Sequence, residues 1–132
     1  MKIHVPKDTG LELVPAGGYK AAVSGYRVKT SAQGNPYILW EFTLQSQGPD
    51  PTANTVGRKV FDSTTLTEES MWKTASLVNA VKAAPVSEGD YEVDELIENL
   101  KARVLNKELF IRVDTESYQG QLRTRVREFK QL

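Results

Sequence analysis

Two stretches of strand-like alternation enclose a middle that repeats at helical spacing, and this change of period constrains the fold more than any single motif. Tyr19, Ala21 and Val23 alternate with Lys20, Ala22 and Ser24, the period of two that puts one set of side chains on one face of a strand. After Gly25 the apolar positions change parity to Tyr26 and Val28, with Arg27 and Lys29 in the gaps. A glycine at a parity switch is the mark of a β-bulge, where one extra residue slips the register and bends the strand. Ser31 to Pro36 is a turn cluster. Ile38, Trp40, Phe42 and Leu44 then form a second strand, with Tyr37, Leu39, Glu41 and Thr43 on its other face. Gln47 to Asn54 is a loop. Arg58 to Leu66 is a third strand whose inward face the pattern leaves open.

The middle changes period. Thr67 stands as an N-cap, Glu68 and Glu69 suit a helix start, and Met71, Ala75, Val78 and Val81 recur at helical spacing, widened by Trp72 and Leu77. Pro85 to Gly89 interrupts the pattern. A second helix runs from about Asp94 to Val104, with Leu96, Ile97, Leu100 and Val104 on one side and Asn106 at its stop. Alternation then returns. Leu109, Ile111 and Val113 oppose Phe110, Arg112 and Asp114; a hairpin turn spans Ser117 to Gly120; and Leu122 and Val126 oppose Arg123, Arg125 and Arg127. The order is three strands, a helical insert over 67–104, and two strands. A bent, glycine-marked first strand and helices between strands three and four match the OB-fold, a five-stranded Greek-key barrel. An SH3-like barrel competes but has no room for the insert. The expected class is mainly β with a helical insert. The expected organisation is one domain over 1–132, opening with an extended segment over 1–18.

Composition narrows the chemistry. The 132 residues include no cysteine, which removes thiolate metal sites, disulfides and a cysteine nucleophile and fits a reducing cytoplasm. His4 is the only histidine, which leaves a Ser-His-Asp device or a multi-histidine metal site little to work with. No apolar run approaches a membrane span of ~18 residues, and no signal peptide opens the sequence. Lysine plus arginine and aspartate plus glutamate each total 17, but they are unevenly spread: residues 1–60 carry net +3, 61–104 net −5 and 105–132 net +2. Positive ends flanking a negative middle hint at nucleic-acid contact.

Several segments carry a family likeness. Val14 to Tyr19, Lys29 to Tyr37, Gly57 to Asp62 and Met71-Trp72-Lys73 together resemble bacteriophage single-stranded-DNA-binding proteins of the OB-fold type, a group long filed as a domain of unknown function. The resemblance runs from about Val14 to Phe129. It implies a protein that covers single-stranded DNA during phage replication or recombination, in the host cytoplasm. Bacterial proteins of that activity end in an acidic tail that recruits partners, whereas this sequence ends Arg127-Glu128-Phe129-Lys130-Gln131-Leu132.

The residues themselves supply a candidate site. Alternate side chains on a strand lie ~6.6 Å apart, close to the phosphate repeat of an extended single strand, so Arg123, Arg125 and Arg127 could track three phosphates. The plainer account is a solvated face paired with Asp114 or Glu116. Arg112, Lys107, Arg27, Lys29, Arg58 and Lys59 add positive charge on other strands. Sequence-tolerant binders also stack bases on aromatic rings, and the rings off the core parity are Tyr37, Phe110 and Tyr118, with Phe61 joining if Val60 faces inward. Phe110 could instead be covered by the helical insert. Trp40, Phe42 and Trp72 read as core. Asp8-Thr9-Gly10 matches the aspartic-protease triplet but follows His4-Val5-Pro6-Lys7 rather than an apolar strand. Glu88, Asp90, Glu92, Asp94 and Glu95 lack the spacing of a metal loop and suit a helix start.

These readings favour a non-catalytic binder of single-stranded DNA with little sequence preference, needing no cofactor or metal and having no membrane role. Other replication or recombination proteins are further expected partners, and a homo-oligomer stays open. The rival is an adaptor module of a replication complex or virion whose basic stripe meets an acidic protein. A small hydrolase working through carboxylates is the remote third.

Overall fold

A computed structural model describes residues 14–48 and 54–132. His4, the Asp8-Thr9-Gly10 triplet and most of the 1–18 segment lie outside the described residues, as does the centre of the loop after the second strand. The elements run β1 (Gly17–Thr30), β2 (Pro36–Leu44), β3 (Lys59–Thr65), α1 (Met71–Ala80), α2 (Val93–Val104), β4 (Glu108–Tyr118) and β5 (Gln121–Lys130). A short 3-10 turn over Glu68–Ser70 leads into α1. The strands form one antiparallel sheet in the order β3-β2-β1-β4-β5, so the molecule is mainly β with its two helices between β3 and β4. No described helix is long and apolar enough to cross a membrane.

β1 organises the sheet. Its first half pairs with both neighbours, Ala21 lying opposite Leu44 of β2 and Leu109 of β4. The register then slips between Val23 and Gly25, so Ser24 is the extra residue of the expected bulge. The Ser24 hydroxyl donates to Glu41 Oε2 at 2.7 Å and lies 2.7 Å from Thr43 Oγ1, which fills the irregular site with side-chain hydrogen bonds. Gly25 sits where an added Cβ would stand 3.1 Å from Glu41 Oε2. Beyond the bulge β1 continues with β2 alone, down to Thr30 opposite Pro36.

The inward parity of each strand builds the core. Tyr19, Ala21 and Val23 meet Ile38, Trp40, Phe42 and Leu44, then Val60, Leu109, Ile111, Val113 and Val126, all nearly without solvent exposure. Two large polar-tipped rings are satisfied inside: Trp40 Nε1 donates to Thr64 Oγ1 at 3.0 Å, and Tyr19 donates its hydroxyl to the Pro15 carbonyl at 2.5 Å. The helices add Leu77, Val78, Ile97, Leu100 and Val104 to the same cluster. α1 packs against both edge strands, β3 and β5, which also approach each other. The Lys73 ammonium lies 3.1 Å from Asp62 on β3, and Gln131, just past β5, donates to the Asn79 carbonyl at 2.9 Å. Both sheet edges are thereby tied to one helix, which shields edges that would otherwise invite pairing with other chains. Asn106 takes the expected left-handed conformation after α2, with φ 65°.

Four expectations need correction. Trp72 does not join the core; it is 72% exposed, because the buried face of α1 runs through Thr74, Leu77, Val78 and Ala80, which leaves Trp72 and Ala75 outside it. Thr67 precedes the 3-10 turn and makes no side-chain cap bond; α1 itself begins at Met71. Leu122 is 61% exposed and does not share the core with Val126; it lies beside the hairpin turn, opposite Ser117. Finally, β5 is not regular throughout, although Arg123, Arg125 and Arg127 share a face and all approach Glu116. Val113 pairs with Val126 and Arg112 with Glu128, so Arg127 is the unpaired extra residue of a second bulge.

Two substitutions test this packing. Thr64→Val keeps the shape but strands the indole N–H of Trp40, and is expected to cost about 1–3 kcal/mol in urea denaturation. Val126→Ala should cost roughly 1–3 kcal/mol, whereas Leu122→Ala should stay within about 0.5 kcal/mol; equal losses would mean that the hairpin is packed.

Candidate functional site

Residues directly opposite each other on neighbouring strands share a face, so the register assembles the site. Lys29 pairs with Tyr37 and Tyr37 with Thr65; Arg27 pairs with Leu39 and Leu39 with Ser63; Gly25 pairs with Glu41 and Glu41 with Phe61. These rows lie on the face of β1, β2 and β3 turned away from the core. With Val60 buried, Phe61 turns outward and is 45% exposed. Arg27 and Lys29 are exposed, and neither forms a salt bridge among the described residues. The turn Ser31–Asn35 closes one end of this face. It is a tight structure, in which Ser31 N–H donates to the Asn35 carbonyl at 2.8 Å, Gly34 N–H to the Ser31 carbonyl at 2.9 Å, and Asn35 N–H to the Ser31 hydroxyl at 3.1 Å. Gly34 supplies the positive φ of 84° and has open space around it.

The arginines of β5 reach the same face. A hollow of about 200 Å³ is lined by Leu39, Phe61, Asp62 and Ser63 from the sheet and by Arg123, Thr124 and Arg125 from β5; Asp62 is already neutralised by the Lys73 ammonium. It lies where the two edge strands approach. Two apolar side chains, Leu39 and Phe61, beside two guanidinium groups can hold a flat ring carrying an anionic substituent.

Those guanidiniums already have internal partners. Glu116 on β4 is the hub: Arg123 donates to its Oε1 at 2.6 Å, Arg125 approaches Oε2 at 3.3 Å, and Arg127 lies 3.7 Å from Oε2 and 3.8 Å from Asp114. The hydrogen bond from Arg123, together with the charge of Arg125, holds the Glu116 carboxyl below the ordinary carboxylate range. Three cations around two carboxylates leave a net positive cluster. Glu41 is the one carboxylate in the three rows of the sheet face; its hydrogen bond from Ser24 and the Lys59 ammonium at 3.2 Å hold its pKa down as well.

The remaining sequence candidates fall elsewhere. Arg112 pairs with Glu128 at 2.8 Å, and Lys130 meets the same carboxylate at 3.1 Å. Phe110 is half-buried on the outer face of β1 and β4, its ring lying over Gly18 so closely that a Cβ there would collide with it. It is glycine-backed sheet rather than the helical insert that covers it. Lys107 is exposed at the junction of α2 and β4, where its carbonyl accepts the Val23 N–H at 2.9 Å. Arg58 is half-buried just before β3, its carbonyl accepting from Leu44 N–H at 2.8 Å. Tyr118 ends β4 opposite Gln121. Arg27, Lys29, Tyr37 and Phe61 therefore share one sheet face, where Phe61 meets Arg123 and Arg125; Lys59 flanks them through Glu41, and Arg112, Phe110 and Lys107 stand apart. Leu39 and Ser63 were missed in the sequence, although Leu39 shares the parity of Tyr37.

A family model matches residues 4–132 and is described as a protein of unknown function, DUF669. The chain belongs to that family. None of the curated proteins matches it.

Because the Glu116 pKa is lowered on folding, the unfolded chain binds the proton more tightly, and stability rises with pH through that window. The contribution is complete above the ordinary glutamate range near pH ~4.3 and is lost as pH falls through the lowered native value. Thermal melts from neutral to strongly acidic pH should show a shallower decline for Glu116→Gln than for the parent; parallel curves would mean that the hub does not stabilise the fold.

Proposed function

We propose that this chain binds single-stranded DNA with little sequence preference, across the outer face of β1, β2 and β3 and the adjoining end of β5. The observation that carries the reading is that Phe61, Arg123 and Arg125 line one shallow hollow on the face where the register also sets Arg27, Lys29 and Tyr37. Phosphates would be neutralised by the guanidinium and ammonium groups, while bases stack on the rings; duplex DNA offers no free base face. The strand order supports the same reading. β3-β2-β1-β4-β5, with β3 near β5 and helices between β3 and β4, is compatible with an OB-type arrangement, whose members bind oligonucleotides on the face of strands two and three. The resemblance to phage single-stranded-DNA-binding proteins points the same way.

The alternative, an adaptor that meets an acidic protein, draws on the ion-paired state of the β5 arginines. Titration with oligo-dT separates the two. Neutralising three to five phosphates gives a slope of log affinity against log salt of roughly −2 to −3.5, and oligo-dT should outcompete the matching duplex. Arg27→Ala should reduce the slope by about one contact, whereas Phe61→Ala should weaken binding by ~1–3 kcal/mol with the slope kept. Glu116→Gln, which releases the β5 arginines, should tighten binding and steepen the slope. A flat salt response, or equal competition by duplex, would falsify the proposal.

A further inference from the structure

A second concave site lies on the helical side of the molecule. A cavity of about 520 Å³ opens between α1, the loop that follows it and α2, with Met71, Ala75, Val78, Val86, Leu96 and Leu100 among its walls. That is the size and character of sites that enclose an apolar group, which add a few polar atoms for orientation. One such atom is present. Thr74 lines the cavity, is 2% exposed, and its hydroxyl has no hydrogen-bond partner among the described residues, not even the helical carbonyl one turn back that threonines often use. A buried hydroxyl left unpaired costs stability, and a bound group could satisfy it.

The rim has one sign of charge. Glu88 and Asp90 line the mouth, Glu92, Asp94 and Glu95 continue the exposed acidic run into α2, and none of the five forms a salt bridge among the described residues. Arg103 on α2 is turned to the Ala84 and Asn99 carbonyls at 2.9 and 3.1 Å. Trp72, 72% exposed, stands two helical turns before the lining residue Asn79 and on the same face of α1. Exposed tryptophan beside a pocket is a common anchor at protein interfaces.

We propose that this cavity docks a basic segment of another protein, which places one apolar side chain against Val78 and Leu100 and its flanking lysines or arginines over Glu88 and Asp90. The occupant is cationic because the rim is acidic. It is a chain rather than a free amine because Trp72 shares a face of α1 with the lining residues Ala75 and Asn79, which extends the contact area beyond the cavity. The site is separate from the face of β1, β2 and β3, so it can be filled whether or not that face holds DNA.

The test is an amide-resolved NMR titration with a short synthetic peptide that carries one phenylalanine between lysines. Shifts are expected in Met71–Ala80 and 86–91. Replacing the phenylalanine by alanine, or the lysines by glutamates, should abolish them. Ala75→Leu grows an exposed helix position into the cavity and should weaken the peptide about tenfold or more, with oligo-dT affinity and the melting temperature unchanged. Glu88→Gln with Asp90→Asn should weaken it severalfold at low salt and remove its salt dependence. Absence of shifts, shifts on the β1–β3 face instead, or an Ala75→Leu protein that binds as the parent does would each overturn the proposal.

Discussion

One extra residue in β1 sets the character of the whole outer surface. A slip of one position exchanges the two faces of a strand, and the bulge at Ser24 does this midway along a 14-residue strand. Before it, odd-numbered residues point into the core, as Tyr19, Ala21 and Val23 do. After it, the odd-numbered residues Arg27 and Lys29 lie outward beside Leu39 and Tyr37. Without the bulge both cations would point inward, where an unpaired charge is prohibitive. Ser24 and Gly25 hold the irregularity in place, one by hydrogen bonds to Glu41 and Thr43, the other by lacking a Cβ at close range.

The two concave sites follow from the same division of labour. The sheet presents a face with exposed cations and rings, and the helices, which tie down both sheet edges, present an apolar cavity with a carboxylate rim. Charge is sorted accordingly: the strand-forming ends of the sequence are net positive and the helical insert net negative. On the two proposals made above, the surfaces would draw different classes of partner without competing for one. Within the positive face, Glu116 gathers the β5 arginines and keeps mutually repelling guanidiniums in fixed positions.

Much of the fold was legible because strands with one buried face must alternate. The parity of β2 and β4, the bulge, and both helices follow from that rule and from helical spacing. Trp72 was misplaced because apolarity, not position, argued for burial, while the buried stripe of α1 uses Thr74 in its stead. Leu122 failed for a different reason: alternation tells which side a residue faces, not whether anything lies there to cover it. The grouping of Arg27, Lys29 and Phe61 could not be seen before the register of three strands was known. The bulge at Arg127, which carries no glycine, left no local mark at all. Nor could the approach of β5 to β3 be read locally, since it joins residues some sixty positions apart.

The two tryptophans occupy opposite extremes. Trp40 is enclosed in the core with its indole N–H bonded to Thr64, whereas Trp72 projects from α1 into solvent. One ring is consequently shielded from collisional quenchers and emits from an apolar surrounding, and the other is open to both water and solute. Intrinsic fluorescence from this chain is thus two superimposed signals, a short-wavelength component that reports the integrity of the sheet and a long-wavelength, quenchable one that reports what touches the helical surface.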